Sequence, residues 1–223
     1  MKNKPILERR QTWQTNLYSS GFYYHIYNRD NNRENLFVER RNYPYFLKLY
    51  TEHIQPVAET FAYCLLPNHF HFAIRTYTEE EQEAYHRKQI GSISQIEPIS
   101  PPFNPRKPSR AFNNLFIAYA RAFNKATQRT GFLFETPFGR KMVDSERYLM
   151  TLITYIHRNP QKHGLVTDFR DWTWSSYGAM LSSKPTKVQR DEVLAWYNDR
   201  SQFADAHLTE VDKRLIAPLL MDD

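Results

Sequence analysis

The sequence predicts an α+β fold, an antiparallel sheet with helices packed on it, followed by a C-terminal helical extension. Three observations carry this. Residues 21–28, 60–66 and 69–74 alternate their side chains with the two-residue period of a strand. Pro67-Asn68 separates the last two, a turn pair that folds them into an antiparallel hairpin. Residues 39–54, 110–129 and 145–159 instead repeat apolar side chains at helical spacing.

Residues 1–20 are polar and mixed and read as an irregular arm. In the first strand Phe22, Tyr24 and Ile26 share one face, and Tyr23, His25 and Tyr27 the other. Asn28 to Arg33 is a polar, basic loop. The first helix runs from Glu39 to Ile54 on a stripe of Phe46, Leu47 and Tyr50, and Pro56 stops it. The second strand sets Phe61, Tyr63 and Leu65 against Ala62, Cys64 and Leu66. The third sets Phe70, Phe72 and Ile74 against His69, His71 and Ala73. Residues 77–109 begin acidic and become rich in Ser and Pro, which predicts a long excursion, partly disordered or draped over the surface.

Ser109 is an N-cap candidate for a helix over 110–129, with Phe112, Leu115, Phe116, Tyr119 and Phe123 as its core stripe and Gly131 ending it. Phe138 to Val143 reads as a short strand bearing Arg140 and Lys141. Asp144 or Ser145 caps the next helix, which buries Leu149, Leu152, Ile153 and Ile156 and ends at Asn159 ahead of Pro160. Trp172 to Tyr177 is an aromatic turn, and helical segments follow at 190–197 and 209–221. The domain boundaries are therefore 1–20, 21–180 and 181–223.

Charge and composition narrow the function. Thirty Lys and Arg against 24 Asp and Glu give a net charge of +6, with a pI near 9.3, which favours a polyanionic partner. Aromatics make up 15% of the chain, so rings are available to stack on unpaired bases as well as to fill a core. The single cysteine, Cys64, excludes an internal disulfide and a cysteine-based zinc cluster. No stretch has the length of a membrane span and no signal peptide precedes the domain, so a soluble, cytoplasmic protein without membrane contact is expected.

The residues with chemical potential are few. His69 and His71 leave the same face of a strand about 7 Å apart, a spacing at which two imidazoles can share a metal ion. An isolated His-x-His is more often a pair of partly solvated strand histidines bound to carbonyls. An open site of this kind can polarise a phosphoryl oxygen. Tyr155 is a candidate nucleophile, although a phenol with a pKa of about 10 attacks poorly without a nearby cation. Asn159 stands four residues on, on the same flank of the helix, and could offer a carbonyl oxygen to a metal. His25 shares the imidazole face, while His157 and His163 have no forced role. Arg29, Arg33, Arg140, Lys141 and Arg158 are candidates for a phosphate track.

Taken in order, these motifs resemble those of the REP-associated tyrosine transposases of the single-tyrosine HUH superfamily. The resemblance lies in Tyr24-His25-Ile26-Tyr27-Asn28-Arg29, Leu66-Pro67-Asn68-His69-Phe70-His71-Phe72, and Arg129-Thr130-Gly131-Phe132-Leu133-Phe134 with residues 138–143. It continues through Tyr155-Ile156-His157-Arg158-Asn159-Pro160, Gly164-Leu165-Val166 and Trp174-Ser175-Ser176-Tyr177, and so covers residues 21–180. It implies a ferredoxin-like sheet, His69, His71 and Asn159 as ligands of a divalent metal (Mg or Mn), and Tyr155 as the nucleophile. The implied reaction is cleavage and rejoining of single-stranded or hairpin DNA through a 5′-phosphotyrosine, by a monomer or homodimer. His163 departs from the pattern, which has a small residue before Gly164-Leu165-Val166, and the 77–109 excursion is longer than in compact relatives. Two other readings stay open: a hairpin-binding protein without chemistry, and a histidine-based metallohydrolase that uses water in place of the tyrosine.

Overall fold

The computed structural model describes residues 21–32, 34–91 and 103–209. The predicted arm at 1–20, Arg33 and the predicted helix beyond Thr209 lie outside them.

Four strands form one sheet, β1 (Tyr23–Arg29), β2 (Ala58–Leu65), β3 (His69–Thr76) and β4 (Gly139–Met142), in the order β2-β3-β1-β4 with every neighbour antiparallel. This is the strand order of a ferredoxin-like split β-α-β sheet. The predicted alternation sorts the two faces. Tyr24, Ile26, Phe70, Phe72 and Ile74 pack beneath α1 (Asn42–Ile54) and α3 (Pro108–Thr127) in one apolar core. The opposite face carries Tyr23, Ala73 and the imidazoles, and is covered by α4 (Glu146–Lys162) through Leu149, Leu152, Ile153 and Ile156. Every residue of β3 is buried, as expected of a strand roofed on both sides.

Four elements differ from the sequence reading, each for a local physical reason. In β2, Phe61 joins Ala62, Cys64 and Leu66 on the α4 face, because an extra residue shifts the register between Thr60 and Ala62. Residues 79–91, expected to be part of an irregular excursion, form α2 (Glu79–Gly91). Thr78 and Glu81 cap it reciprocally: the Glu81 amide donates to Thr78 Oγ1, and the Thr78 amide to the Glu81 carboxylate. Helix α3 starts at Pro108 and ends on Gln128 in the left-handed region, earlier than Gly131. Helix α4 is capped by Ser145, one of the two expected candidates, but runs through Pro160 to Lys162 rather than ending at Asn159. Carbonyls on both sides of the proline still find partners: His163 N donates to Asn159 O, and Leu165 N to Pro160 O.

The C-terminal segments dock against α4 and along β2 of the sheet. They are a 3₁₀ turn at Phe169–Asp171, then α5 (Tyr177–Leu181), α6 (Arg190–Trp196) and α7 (Arg200–Leu208). Helix α7 was not read from the sequence. Its Asp199 cap accepts from the Gln202 amide.

A buried histidine chain ties these parts together. His207 Nδ1 lies 2.8 Å from Phe203 O, His207 Nε2 lies 2.9 Å from His157 Nδ1, and His157 Nε2 lies 2.7 Å from Ser176 Oγ. A carbonyl only accepts, so His207 donates from Nδ1 and accepts at Nε2. His157 then donates from Nδ1 and accepts the Ser176 hydroxyl proton at Nε2. Ser176 Oγ in turn accepts from the Tyr63 amide of β2. Every position is satisfied with both imidazoles neutral. Burial accordingly holds His207 down to about 4, and holds His157 well below the usual histidine range.

That neutrality makes stability pH-dependent. In the unfolded chain these histidines titrate near 6.5. Between that value and the lower folded one the unfolded state binds more protons, so their contribution is complete above pH 6.5 and is lost as pH falls toward 4. His207 alone should cost about 2 kcal/mol of stability at pH 5 relative to pH 7.5. Urea midpoints measured across that interval check this, and a flat profile would contradict it.

Candidate active site

The site forms where α4 crosses the imidazole face of β3 and β1. His71 is 1% exposed and lies between Cys64 of β2 and Tyr27 of β1. Its Nδ1 is 3.0 Å from His25 Nε2. Its Nε2, also buried, has no hydrogen-bond partner. His25 therefore engages one ring nitrogen of His71 and leaves the other available, the arrangement typical of a metal-binding imidazole. Burial first, and then the neighbouring His69, His25, His163 and Lys162, holds His71 well below the usual histidine range, so its ring is neutral. Burial and then the charge of Lys141 hold His25 down to about 3. His69 packs edge-on to His71 with ring centres 5.1 Å apart, and its Nδ1 is 2.7 Å from Asn68 Oδ1.

Helix α4 supplies the other side. The Tyr155 ring meets His71 edge-on at 5.6 Å and His25 at 6.4 Å, and the residue is 4% exposed. One turn on, Asn159 is fully buried, and neither Oδ1 nor Nδ2 of its amide has a partner. One turn further, the His163 ring lies 5.0 Å from that of His69. The stripe Tyr155, Asn159, His163 thus lies along the His71-His69 edge, with Asn159 in the middle. Unsatisfied buried polar atoms cost about 1–3 kcal/mol each, a cost that a bound cation or phosphate could offset here. Among the described residues no three His, Cys, Asp or Glu side chains gather in a metal-holding group. A metal at this point would take the two imidazoles and the Asn159 amide, a donor set with room for further oxygens.

The sequence reading puts His25 and Tyr27 on the imidazole face of β1 but gives neither a role. His25 backs His71. Tyr27 packs against His25 at 4.8 Å and His71 at 6.2 Å. Its ring fills the space over Gly139, where a Cβ would come within 2.1 Å of it.

Among the described residues, the predicted phosphate-track residues Arg29, Arg140, Lys141 and Arg158 do not form one surface. Arg29 is ion-paired with Glu135 at 2.5 Å. Arg158 donates to the His207 and Thr209 carbonyls at the end of α7. Arg140 and Lys141 are adjacent in β4 and so fall on opposite faces. Lys141 pairs with His25 on the imidazole side. Arg140 lines a cavity of about 560 Å³ on the α3 side, with Tyr24, Phe112 and Phe138.

Comparison with known proteins points the same way as this geometry. Over 121 residues the chain is 26% identical to a putative REP-associated tyrosine transposase of Haemophilus influenzae, a match covering 53% of this chain and 58% of that protein. The fold superposes on the structure of a REP-associated tyrosine transposase bound to a REP hairpin with a TM-score of 0.55, at 16% identity, over 78% of this chain and 88% of that one. The chain is similar to REP-associated tyrosine transposases in sequence and in fold. The resemblance read from its motifs is borne out. No protein-family model matches it. In relation to these transposases, the aligned part is little more than half the length of the curated relative. None of the helices among the described residues is long and apolar enough to cross a membrane.

Proposed function

We propose that this protein cuts and rejoins single-stranded DNA beside a hairpin, with Tyr155 as the nucleophile. The observation that carries the reading is the meeting of the Tyr155 ring with His71, whose Nε2 is buried without a partner, beside the equally unsatisfied Asn159 amide. A tyrosine, an available imidazole nitrogen and an amide on one edge are the parts a phosphoryl transfer needs. The solved relative is described as bound to a REP hairpin, which supports hairpin DNA as the substrate class.

In the reaction, Tyr155 Oη attacks the phosphorus of the scissile phosphodiester and gives up its proton. The bond from phosphorus to the 3′-oxygen breaks, and that oxygen takes up a proton. DNA remains attached as a 5′-phosphotyrosine, and attack by another 3′-hydroxyl reverses the step. Because the phosphodiester energy is kept in the protein–DNA bond, no nucleotide triphosphate is required. His69, His71 and Asn159 would hold a divalent ion, Mg or Mn, which when bound supplies Lewis-acid polarisation of a phosphoryl oxygen. His25 orients His71, and the helices over both faces exclude water from the imidazoles.

The test is direct. The protein is mixed with an oligonucleotide that folds into a hairpin with a single-stranded 5′ flank, in Mg or Mn, and resolved under denaturing conditions. A covalent species that chelation prevents is expected. Cleavage to free 5′-phosphate ends with no attached protein would establish the water-based metallohydrolase instead. Tight binding with no cleavage in either metal would leave only hairpin recognition.

A further inference from the structure

Among the described residues, the cations named from the sequence do not stand beside Tyr155. Arg29 and Arg158 are engaged elsewhere, Arg140 is on the other face of the sheet, and Lys141 is on the imidazole face but beside His25 in β4, two strands from His71. A different cation is in place. Helix α4 does not stop at Asn159, and its last residue is Lys162. Tyr155, Asn159 and Lys162 stand at i, i+4 and i+7, one stripe of the helix. Helical side chains lean toward the N-terminus, so a lysine in the last turn reaches back along that stripe. Lys162 Nζ is 5.5 Å from the centre of the Tyr155 ring. Its charge is also felt at His71. The residue is exposed, and no carboxylate among the described residues forms an ion pair with it.

We propose that Lys162 is the phosphate-holding cation of this site, a catalytic residue whose ammonium takes a non-bridging oxygen of the scissile phosphodiester as Tyr155 attacks. The assignment rests on the transesterase reading above. A lysine in a last turn also complements the helix dipole, a purely structural role. The two roles differ in what they move. A cation that meets the phosphate as charge develops acts on the rate at saturating DNA, whereas dipole complementation acts on thermal stability.

The experiment measures single-turnover adduct formation against hairpin-DNA concentration for the wild type, Lys162→Ala and Lys162→Arg, with a thermal melt of each. The expected result is a fall of roughly 100-fold in the saturating rate for Lys162→Ala. Half-saturation should move only a few-fold and the melt little. Lys162→Arg should recover most of the rate, because a guanidinium also binds phosphate oxygens. Wild-type adduct with an unchanged rate in Lys162→Ala would overturn this assignment alone. So would an equal loss in Lys162→Arg, which would make shape rather than charge the cause. No adduct from the wild type would overturn the transesterase reading, and this assignment with it.

Discussion

Tyr155→Phe is expected to eliminate the covalent protein–DNA species, a loss of at least roughly 10⁴-fold, while hairpin binding stays near the wild-type level. The change removes a single oxygen. The ring that packs edge-on against His71 and His25 remains, as does the face beneath Lys162. Fold and imidazole geometry should therefore survive, and only the nucleophile is lost. The control is Tyr27→Phe. Tyr27 also touches His25 and His71 and is the rival phenol at the site. It lies in β1 with its ring confined over Gly139, away from the Tyr155-Asn159-Lys162 stripe. Tyr27→Phe should keep adduct formation. A denaturing gel with labelled DNA reads both variants. Adduct persisting in Tyr155→Phe and vanishing in Tyr27→Phe would transfer the nucleophile to the strand.

His157→Ala should be strongly destabilising, costing about 3–5 kcal/mol. Several terms add. The imidazole is fully buried among Tyr177, Phe203 and His207, so truncation opens a cavity. His207 Nε2 and Ser176 Oγ both lose their partner in a dry interior. Against a typical total of 5–15 kcal/mol, such a loss leaves the fold marginal. Denaturant titration measures it. A cost under about 1 kcal/mol would mean that the chain from β2 through Ser176 and His157 to α7 contributes little. Ser176→Ala, which leaves the two imidazoles bonded to each other, should cost about 1–2 kcal/mol.

Much of the site is legible in the sequence. Strict alternation in β3 separates Phe70, Phe72 and Ile74 from His69 and His71 whatever the strand packs against, because successive side chains must point to opposite faces. The same logic puts His25 on the imidazole side of β1. Helical periodicity puts Tyr155 and Asn159 on one flank of α4, and Ser145 marks its start. The capping pair Thr78 and Glu81 was equally legible, but was outweighed by the proline-rich stretch that follows. The rule that a residue before proline leaves the helix misplaced the end of α4. Lost local bonding there is offset by burial of the apolar Ile156 and Pro160 against the rest of the fold.

Patterning along the chain settles which side chains share a face, because that depends on backbone geometry within a few residues. It does not settle what those side chains meet. Arg29 finds Glu135 across 106 positions, Arg158 finds the carbonyl of His207 across 49, and His71 finds His25 across 46. Those distances in sequence are closed only by the packing of β1, β3, α4 and α7. Arg29 and Arg158, which look free in the sequence, are held by such partners. Lys162, placed by a helix that outlasts its proline, comes to lie over the tyrosine.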